Sequence, residues 1–154
     1  ALVAEVGEDR AVAIRADVTD DDEVRRLFTE ARERFGAPVT TVVNNALVDF
    51  SFNGDARPSV EDIRWEDFDA QLRGALKATM STTQAALPGM REAGYGRIVS
   101  IGTNLVQHPV VPYHDYTAAK AAALRERQFM EVMEACVGQM PPHLGDCPST
   151  VTVS

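Results

Sequence analysis

The chain has 154 residues, of which 45% are hydrophobic and 25% charged, and its formal net charge is −8. These values are ordinary for a globular chain, and the length suffices for one domain with a sizeable core. The acidic excess argues against a nucleic acid or an anionic membrane as a partner. No apolar run approaches the roughly 20 residues that span a bilayer, no secretory signal pattern is visible, and the few cysteines form no disulfide framework. We therefore expect a cytoplasmic protein.

The first 36 residues alternate between helical and strand patterns. Residues 1–6 are typical of the end of a helix that stops at Gly7. The short apolar run 11–16 predicts a buried strand that ends at Asp17. Thr19 or Asp20 then caps a helix that closes at Gly36, and its apolar residues recur at helical spacing: Val24, Leu27, Phe28, Ala31 and Phe35.

The same alternation continues along the chain. Residues 39–43 predict a second strand, which a polar loop over 48–59 follows. A helical stripe runs over 65–90, and we expect Pro88 to kink or end that helix. A third strand at 97–102 precedes an alanine-rich helix. Strands that alternate with amphipathic helices indicate an α/β fold in which helices cover both faces of a parallel sheet.

Tyr116 and Lys120 carry the clearest chemical signal. They are four residues apart on the last predicted helix, so both side chains lie on one face, one turn apart. A free tyrosine titrates near pH ~10, and a cation held within a few ångströms favours its phenolate form. The pair has the parts of a general acid–base site, although the same spacing also occurs by chance on exposed helices.

Polar side chains follow the predicted strands at one edge of the sheet. Asp17, Asn44 and Thr103 each come just past a strand end, and Tyr116 follows the last of these loops. Ligands of parallel sheets bind outside the carboxyl ends of the strands, which makes this edge the candidate site. No metal is expected, because the histidines are not spaced as ligands of one ion: His108, His114 and His143.

Four motifs occur in order and at plausible separations: Asp17-Val18-Thr19, Asn44-Asn45-Ala46, Arg97 to Thr103, and Tyr113 to Lys120. Together they resemble the short-chain dehydrogenase/reductase family, and residues 110–122 resemble its 3-oxoacyl-(acyl carrier protein) reductase-like members. The resemblance implies a Rossmann-like doubly wound parallel sheet. It also implies an NAD(P)-dependent oxidoreductase that interconverts a ketone and a secondary alcohol, with a 3-oxoacyl substrate favoured.

The resemblance further implies the catalytic roles. Tyr116 passes a proton to or from the substrate oxygen, while Lys120 supports the phenolate and hydrogen-bonds the nicotinamide ribose. Thr103 stands where the family usually has the serine that orients the substrate carbonyl, with Ser100 as the second choice. The family's active-site asparagine falls at Gln71, whose amide lies one methylene further out.

The implied coenzyme residues lie nearer the N-terminus. Asp17 accepts from the adenine amino group, and Val18 lies against the adenine ring. Asn44 and Ala46 match the family's Asn-Asn-Ala-Gly turn at the coenzyme. Leu47 replaces the glycine, so its side chain crowds the approach of backbone to coenzyme. The coenzyme is NAD or NADP, because the residue that reads the ribose 2′ position is not found.

Two departures from the family are visible. The Thr-Gly-x-x-x-Gly-x-Gly turn that holds the pyrophosphate is not found, and we expect the chain to begin after it. From about residue 123 the motifs stop, which leaves 123–154 as a divergent tail with a strand predicted at 149–153. We expect one partial Rossmann-like domain over 1–154, family-like in 1–122.

The missing segment leaves a gap in the sheet. In the family's strand order, two strands separate the one that ends at Asp17 from the one that ends at Asn44, a gap of ~14 Å at ~4.8 Å per step. A close-packed protein does not leave such a gap empty. Either run 11–16 pairs directly with 39–43, or another chain supplies the segment, or the piece does not fold alone; we expect the first.

Two functions stay open. The first is the oxidoreductase, or a fragment of one, acting on a small-molecule carbonyl or alcohol. The second is a catalytically inactive fragment that keeps a helical association surface. Members of the family commonly associate through the two long helices, so we expect a homodimer or homotetramer formed through 65–90 and 116–135.

Overall fold

The computed structural model describes residues 2–7, 9–48 and 50–137. Its helices are α1 (Leu2–Val6), α2 (Asp21–Phe35), α3 (Trp65–Leu72), α4 (Ala78–Ala93) and α5 (His114–Val137). Two strands, β1 (Thr41–Asn44) and β2 (Arg97–Ser100), pair as a parallel sheet. Two 3₁₀ turns (Gly54–Ala56 and Asn104–Val106) and one π-helical segment (Arg73–Lys77) complete the described elements. The α/β class expected from the sequence is confirmed, in incomplete form.

Residue contacts group the chain into two compact units. The first unit holds the described residues of 1–46 and 77–99, and the second holds those of 47–76 and 100–137. The expected single domain over 1–154 stays a prediction. The predicted strand at 149–153 lies outside the described residues, as do His143 and Cys147. None of the helices in the described part of the chain is long and apolar enough to cross a membrane.

The first unit is organised around α2, α4 and β1. Asp20 caps α2 as predicted, because its side chain accepts from the backbone N–H groups of Asp22 and Glu23. The helix ends at Gly36, whose φ of 66° is left-handed and favours glycine. α4 packs on both α2 and β1. The core so formed consists of Val42, Ala86 and Met90, with Phe28, Val39 and Ile98 packed against it.

The predicted strand at 11–16 is wrong. These residues form no strand, and the sheet of the described chain contains only β1 and β2. The expected pairing of 11–16 with 39–43 is therefore also wrong. A strand needs a partner for its backbone hydrogen bonds and a covered face for its apolar side chains. Here Val12 is 40% exposed, so the run has the apolar composition of a strand without the burial that would stabilise one.

The helix expected over 65–90 is interrupted by the π-helical segment Arg73–Lys77. A π turn adds a residue to the helix and rotates the following side chains by about 100°. The predicted apolar stripe is therefore only partly kept beyond it: Thr83 and Met90 are buried as expected, whereas Met80 is exposed and Thr79 and Thr82 are buried. At the start of the stripe, Trp65 is 68% exposed.

Pro88 does not end α4, which continues to Ala93. That part of the prediction is wrong, because one missing backbone donor does not stop a helix whose other side packs against α2 and β1.

The second unit is organised around α5. α3 packs against α5, and the 3₁₀ turn Asn104–Val106 packs against it as well. Gly74 lies buried in the π-helical segment, directly beside Val48. A Cβ added at Gly74 would lie 2.6 Å from the Val48 Cβ atom, a distance that forces one of the two segments to move.

We predict that Gly74→Ala destabilises the protein by about 1–3 kcal/mol, since the overlap with Val48 outweighs the better helix propensity of alanine. Urea unfolding of the variant measures this change. Gly74→Ala combined with Val48→Gly should be more stable than Gly74→Ala alone, because glycine removes both Val48 atoms that overlap the added Cβ, namely Cβ and Cγ2. A double variant no more stable than Gly74→Ala alone would contradict this packing.

Candidate active site

Tyr116 and Lys120 lie on the buried face of α5. Four buried residues of this part of the helix, Tyr116, Ala119, Lys120 and Ala123, recur at i, i+3, i+4 and i+7, and the adjacent Asp115 is buried as well. The small alanines allow the helix to pack closely, while the polar groups of Tyr116 and Lys120 are brought into an otherwise apolar surface. The predicted exposed-pair alternative is therefore wrong for these two side chains, which are 6% and 9% exposed.

The ammonium of Lys120 lies beside the Tyr116 ring. Its Nζ is 5.9 Å from the ring centroid and donates to the carbonyl oxygen of Ile101 at 3.0 Å. Burial lowers the pKa of Lys120 below its ordinary value, because removal from water disfavours the charged form. An ammonium has three donors, so this hydrogen bond leaves donors that can bind a ligand hydroxyl.

Thr103 follows β2 and begins the 3₁₀ turn that packs against α5. Its hydroxyl accepts from the N–H of Leu105 at 3.3 Å, which fixes the threonine at the start of the turn. A hydroxyl that accepts this bond keeps its own O–H to donate. Ser100, the second choice, has a buried Oγ with no hydrogen-bond partner in the described chain, and so lies out of reach of solvent.

Gln71 is buried near the end of α3. Its side-chain nitrogen donates to the carbonyl oxygen of Val48 at 3.4 Å, so this bond ends on the loop that precedes α3. The unit thus contains Tyr116, Lys120, Thr103 and Gln71 together, although the bonds of Thr103 and Gln71 end on Leu105 and Val48 rather than on the Tyr116–Lys120 pair.

Asp17 and Val18 lie in the first unit, in the turn that leads into α2. The Oδ1 atom of Asp17 accepts from both the N–H and the hydroxyl of Thr19, each at 2.8 Å. The backbone bond from Thr19 is the main cause that lowers the pKa of Asp17, so the carboxylate is ionised at neutral pH. Both bonds end on Oδ1, which leaves Oδ2 available as an acceptor.

Lys77, the residue directly before α4, fixes this turn through two contacts. Its Nζ donates to the carbonyl oxygen of Thr19 at 2.6 Å and pairs with Asp21 at 3.3 Å. The Asp17 turn borders a cavity of about 690 Å³, whose lining includes Arg15, Glu23 and Arg26.

Asn44 ends β1 in the first unit. Its side-chain oxygen accepts from the Thr82 hydroxyl at 2.7 Å, whereas its side-chain nitrogen is buried and has no partner in the described chain. A buried donor without an acceptor is costly, so this atom favours a bound ligand or water. Ala46, two residues on, is exposed in the following loop.

Three residues around Tyr116 lie outside the sequence motifs, Phe50, Phe52 and Arg57, and no role was expected for Tyr113 and Asp115 inside the last motif. Phe50 stacks on the Tyr116 ring with centroids 4.4 Å apart, and Phe52 meets the same ring edge-on at 5.3 Å. The Tyr113 hydroxyl donates to the Phe52 carbonyl at 2.7 Å. In the sequence, the two phenylalanines inside an otherwise polar loop were the one indication of these contacts around Tyr116.

The residues of each unit, considered separately, fit a part of the nicotinamide coenzyme that the resemblance implies. In the first unit, an ionised carboxylate at Asp17 and an unpartnered amide nitrogen at Asn44 are suitable partners for a nucleoside. In the second unit, the ammonium of Lys120 has donors left for ribose hydroxyls. Within the described residues, no group of three or more His, Cys, Asp or Glu side chains is placed to hold a metal ion.

Comparisons with known proteins indicate the family of this chain. A family model described as short chain dehydrogenase matches residues 1–139. NADPH-dependent aldehyde reductase 2, chloroplastic, from Arabidopsis thaliana is 29% identical over 140 residues, which cover 86% of this chain and 50% of that protein. The 3-oxoacyl-(acyl-carrier-protein) reductase MabA of Mycobacterium avium is 34% identical over 116 residues, or 75% and 43% of the two chains.

A solved structure of a short-chain dehydrogenase is also similar to this chain. The crystal structure of a short-chain dehydrogenase from Streptomyces avermitilis superposes with a TM-score of 0.70 at 29% identity, covering 88% of this chain and 47% of that one. The fold is therefore an incomplete Rossmann-like α/β fold. The chain belongs to the short-chain dehydrogenase/reductase family. It spans about half the length of the relatives it matches, and the family match extends beyond residue 122, where the sequence motifs stop.

We predict that the stability cost of the buried Lys120 charge depends on pH. Between the lowered pKa of Lys120 in the folded state and its ordinary value of 10.5, the unfolded chain binds more protons, so stability rises with pH. The free energy of unfolding of the wild type relative to Lys120→Met should therefore increase in that window, by at most ~1.4 kcal/mol per pH unit. Urea unfolding of both proteins across this range measures the difference. A difference that stays constant or falls with pH would show that the ammonium is not desolvated.

Proposed function

We propose that this chain carries the acid–base centre of an NAD(P)-dependent short-chain oxidoreductase that interconverts a ketone and a secondary alcohol. The observation that carries the proposal is the burial of Tyr116 and Lys120 one turn apart on α5, with the ammonium 5.9 Å from the phenol ring centroid. An exposed pair would be screened by water, whereas a buried ammonium acts strongly on a neighbouring phenol.

In the direction of reduction, Tyr116 donates its O–H proton to the substrate oxygen. The phenolate that remains is stabilised by the Lys120 ammonium, and solvent returns a proton before the next turnover. The nicotinamide, when bound, supplies the hydride that adds to the carbonyl carbon. Oxidation of an alcohol runs through the same residues in reverse, with the phenolate as the base.

Thr103 and Gln71 complete the proposed centre. The Thr103 hydroxyl donates to the substrate oxygen and so orients the carbonyl toward Tyr116; its bond from Leu105 supports this role by fixing the threonine. Threonine has fewer rotamers than the usual serine because of its extra methyl group. Gln71 takes the position of the family's asparagine and assists the relay of protons to Lys120. Its bond to Val48 keeps the amide at the end of α3.

Coenzyme binding is assigned to both units. Asp17 accepts from the adenine amino group, Val18 covers the adenine ring, and Asn44 with Ala46 contacts the nucleoside. Lys120 donates to the nicotinamide ribose, close to Tyr116. The ionised state of Asp17 and the unpartnered nitrogen of Asn44 support these assignments. The coenzyme is NAD or NADP.

The substrate is a 3-oxoacyl-type ketone in this proposal. The printed name of the Mycobacterium avium relative supports it, and so does the motif around Tyr116. We also propose a homodimer or homotetramer formed through the helices of 65–90 and 116–135; the exposed Trp65 on α3 supports this surface. The cytoplasmic location expected from the sequence stays a prediction.

Tyr116→Phe should lower kcat/KM for ketone reduction by about 100-fold or more, because the proton donor is lost. The dissociation constants for NADH and NADPH, from fluorescence titration, should change little, since the ring stays in place. Tyr95→Phe is the matched control, because Tyr95 lies 51% exposed in a turn of the first unit and should leave turnover unchanged. If the wild-type chain binds neither coenzyme, the inactive-fragment alternative stands instead.

Asp17→Ala should weaken coenzyme binding about tenfold, since one hydrogen bond from the adenine amino group to a charged acceptor is lost. Its control is Asp9→Ala, which removes an exposed carboxylate outside the proposed pocket. Calorimetric titration of both variants with the coenzyme that binds the wild type measures the two dissociation constants. Equal affinity in the two variants would exclude Asp17 from the adenine pocket.

A further inference from the structure

The geometry points to a positioning device for the proton donor: we propose that the Arg57–Asp115 ion pair fixes Tyr116 through the ring of Phe50. The inference rests on the proposed function, in which Tyr116 transfers the proton. It goes beyond that function because it concerns residues of the loop before α3 that have no part in the proton transfer itself.

The ion pair is buried and joins two distant parts of the second unit. Nη2 of Arg57 donates to both carboxylate oxygens of Asp115, and the two side chains are 14% and 2% exposed. Asp115 directly precedes Tyr116 in the first turn of α5, so the pair ties the loop that carries Arg57 to this turn. A buried charge that loses its partner is strongly unfavourable, and each residue therefore holds the other in place.

The same guanidinium also supports Phe50. The Cζ atom of Arg57 lies 4.4 Å from the centroid of the Phe50 ring, within the range of a cation–π contact. On its other side, Phe50 stacks on Tyr116 with centroids 4.4 Å apart and an angle of 26° between the ring planes. The carboxylate, the guanidinium, the phenyl ring and the phenol ring thus form one continuous series of contacts.

This series closes on itself, because Asp115 and Tyr116 are neighbours in the chain. A rotation of the Tyr116 ring would have to displace Phe50, and Phe50 cannot move without disturbing the buried guanidinium. The position of the phenol ring and its oxygen is thereby fixed before any substrate arrives. A displacement of about 1 Å at a reacting group can lower a rate about 100-fold, so such fixation has a measurable effect on turnover.

The device acts through position rather than through charge. Asp115 neutralises Arg57 at contact distance, so the pair contributes little net field at Tyr116. The positive charge that acts on the phenol belongs to Lys120. Replacement of Phe50, which keeps both charges, should therefore alter the geometry of proton transfer and leave the shape of the pH–rate profile unchanged, whereas replacement of Arg57 also leaves the Asp115 carboxylate unpaired.

The experiment compares four variants of the full chain. Arg57→Met removes the ion pair, Phe50→Leu removes the stacked ring but keeps the ion pair, and Phe50→Tyr keeps a ring of the same shape. Arg73→Met is the matched control, because Arg73 also pairs with an aspartate, Asp69, but does so at the surface with side chains 64% and 45% exposed. For each protein, kcat, the KM of the ketone, the coenzyme dissociation constant and the pH–rate profile are measured.

Arg57→Met and Phe50→Leu should each lower kcat by about 10- to 100-fold with coenzyme affinity unchanged, and Phe50→Leu, which keeps both charges, should also leave the pH–rate profile unchanged. Phe50→Tyr should recover kcat to within a few-fold of the wild type, and Arg73→Met should have no effect. Unchanged kcat in Arg57→Met and Phe50→Leu would overturn the proposal. So would a parallel loss of kcat and coenzyme affinity, because that pattern marks general damage to the fold.

A second readout does not need turnover. In proton NMR with ring-labelled tyrosine, assigned through Tyr116→Phe, the stacked Phe50 should shift the Tyr116 ring signals upfield. Both Arg57→Met and Phe50→Leu should remove that shift, and its persistence in Arg57→Met would overturn the proposal. A wild type that shows the shift but reduces no ketone would refute the proposed function and the positioning role with it. An active wild type with equally active variants would refute the positioning role alone.

Discussion

The placement of one ammonium group in an apolar surface is the constraint on which the rest of this structure depends. Lys120 is buried on α5, and its Nζ lies between the carbonyl oxygen of Ile101 and the ring of Tyr116. A charge removed from water costs free energy unless polar groups compensate it. The backbone oxygen past β2 supplies one partner, and the Tyr116 ring lies beside the ammonium. Stability is thus lower here than an apolar residue would allow.

The elements around this group can be understood as its support. The chain past β2 brings the Ile101 carbonyl to α5, and the turn that begins at Thr103 packs against the same helix. The loop before α3 covers the phenol with Phe50, and the buried Arg57–Asp115 pair holds that loop. Each support joins residues that are far apart in sequence, so the candidate site is a product of tertiary packing.

The sequence predicts contacts between near neighbours in the chain better than contacts between residues that are far apart. The Tyr116–Lys120 pair and the Asp20 cap depend on neighbours within one helical turn, and both were visible as local patterns. The run 11–16 has the composition of a strand, but a strand forms only where another strand accepts its hydrogen bonds, and composition does not show that. The π-helical segment, which changes the buried face of the long helix, and the pairing of Arg57 with Asp115, 58 residues apart, depend equally on packing. The sequence motifs indicated the family, which the family model confirms, whereas the contacts that hold the phenol had no local signature.

The central claim, that the Lys120 ammonium is desolvated beside Tyr116, is tested most directly by titration of that group. The chain contains two lysines, Lys77 and Lys120, so ¹³C NMR of lysine labelled at the ε carbon gives two signals, which Lys77→Arg assigns. The account predicts that Lys120 titrates below its ordinary value of 10.5, and that Tyr116→Phe leaves the shift in place because burial causes it. A Lys120 signal that titrates at or above 10.5 would show a solvated ammonium and would contradict the account.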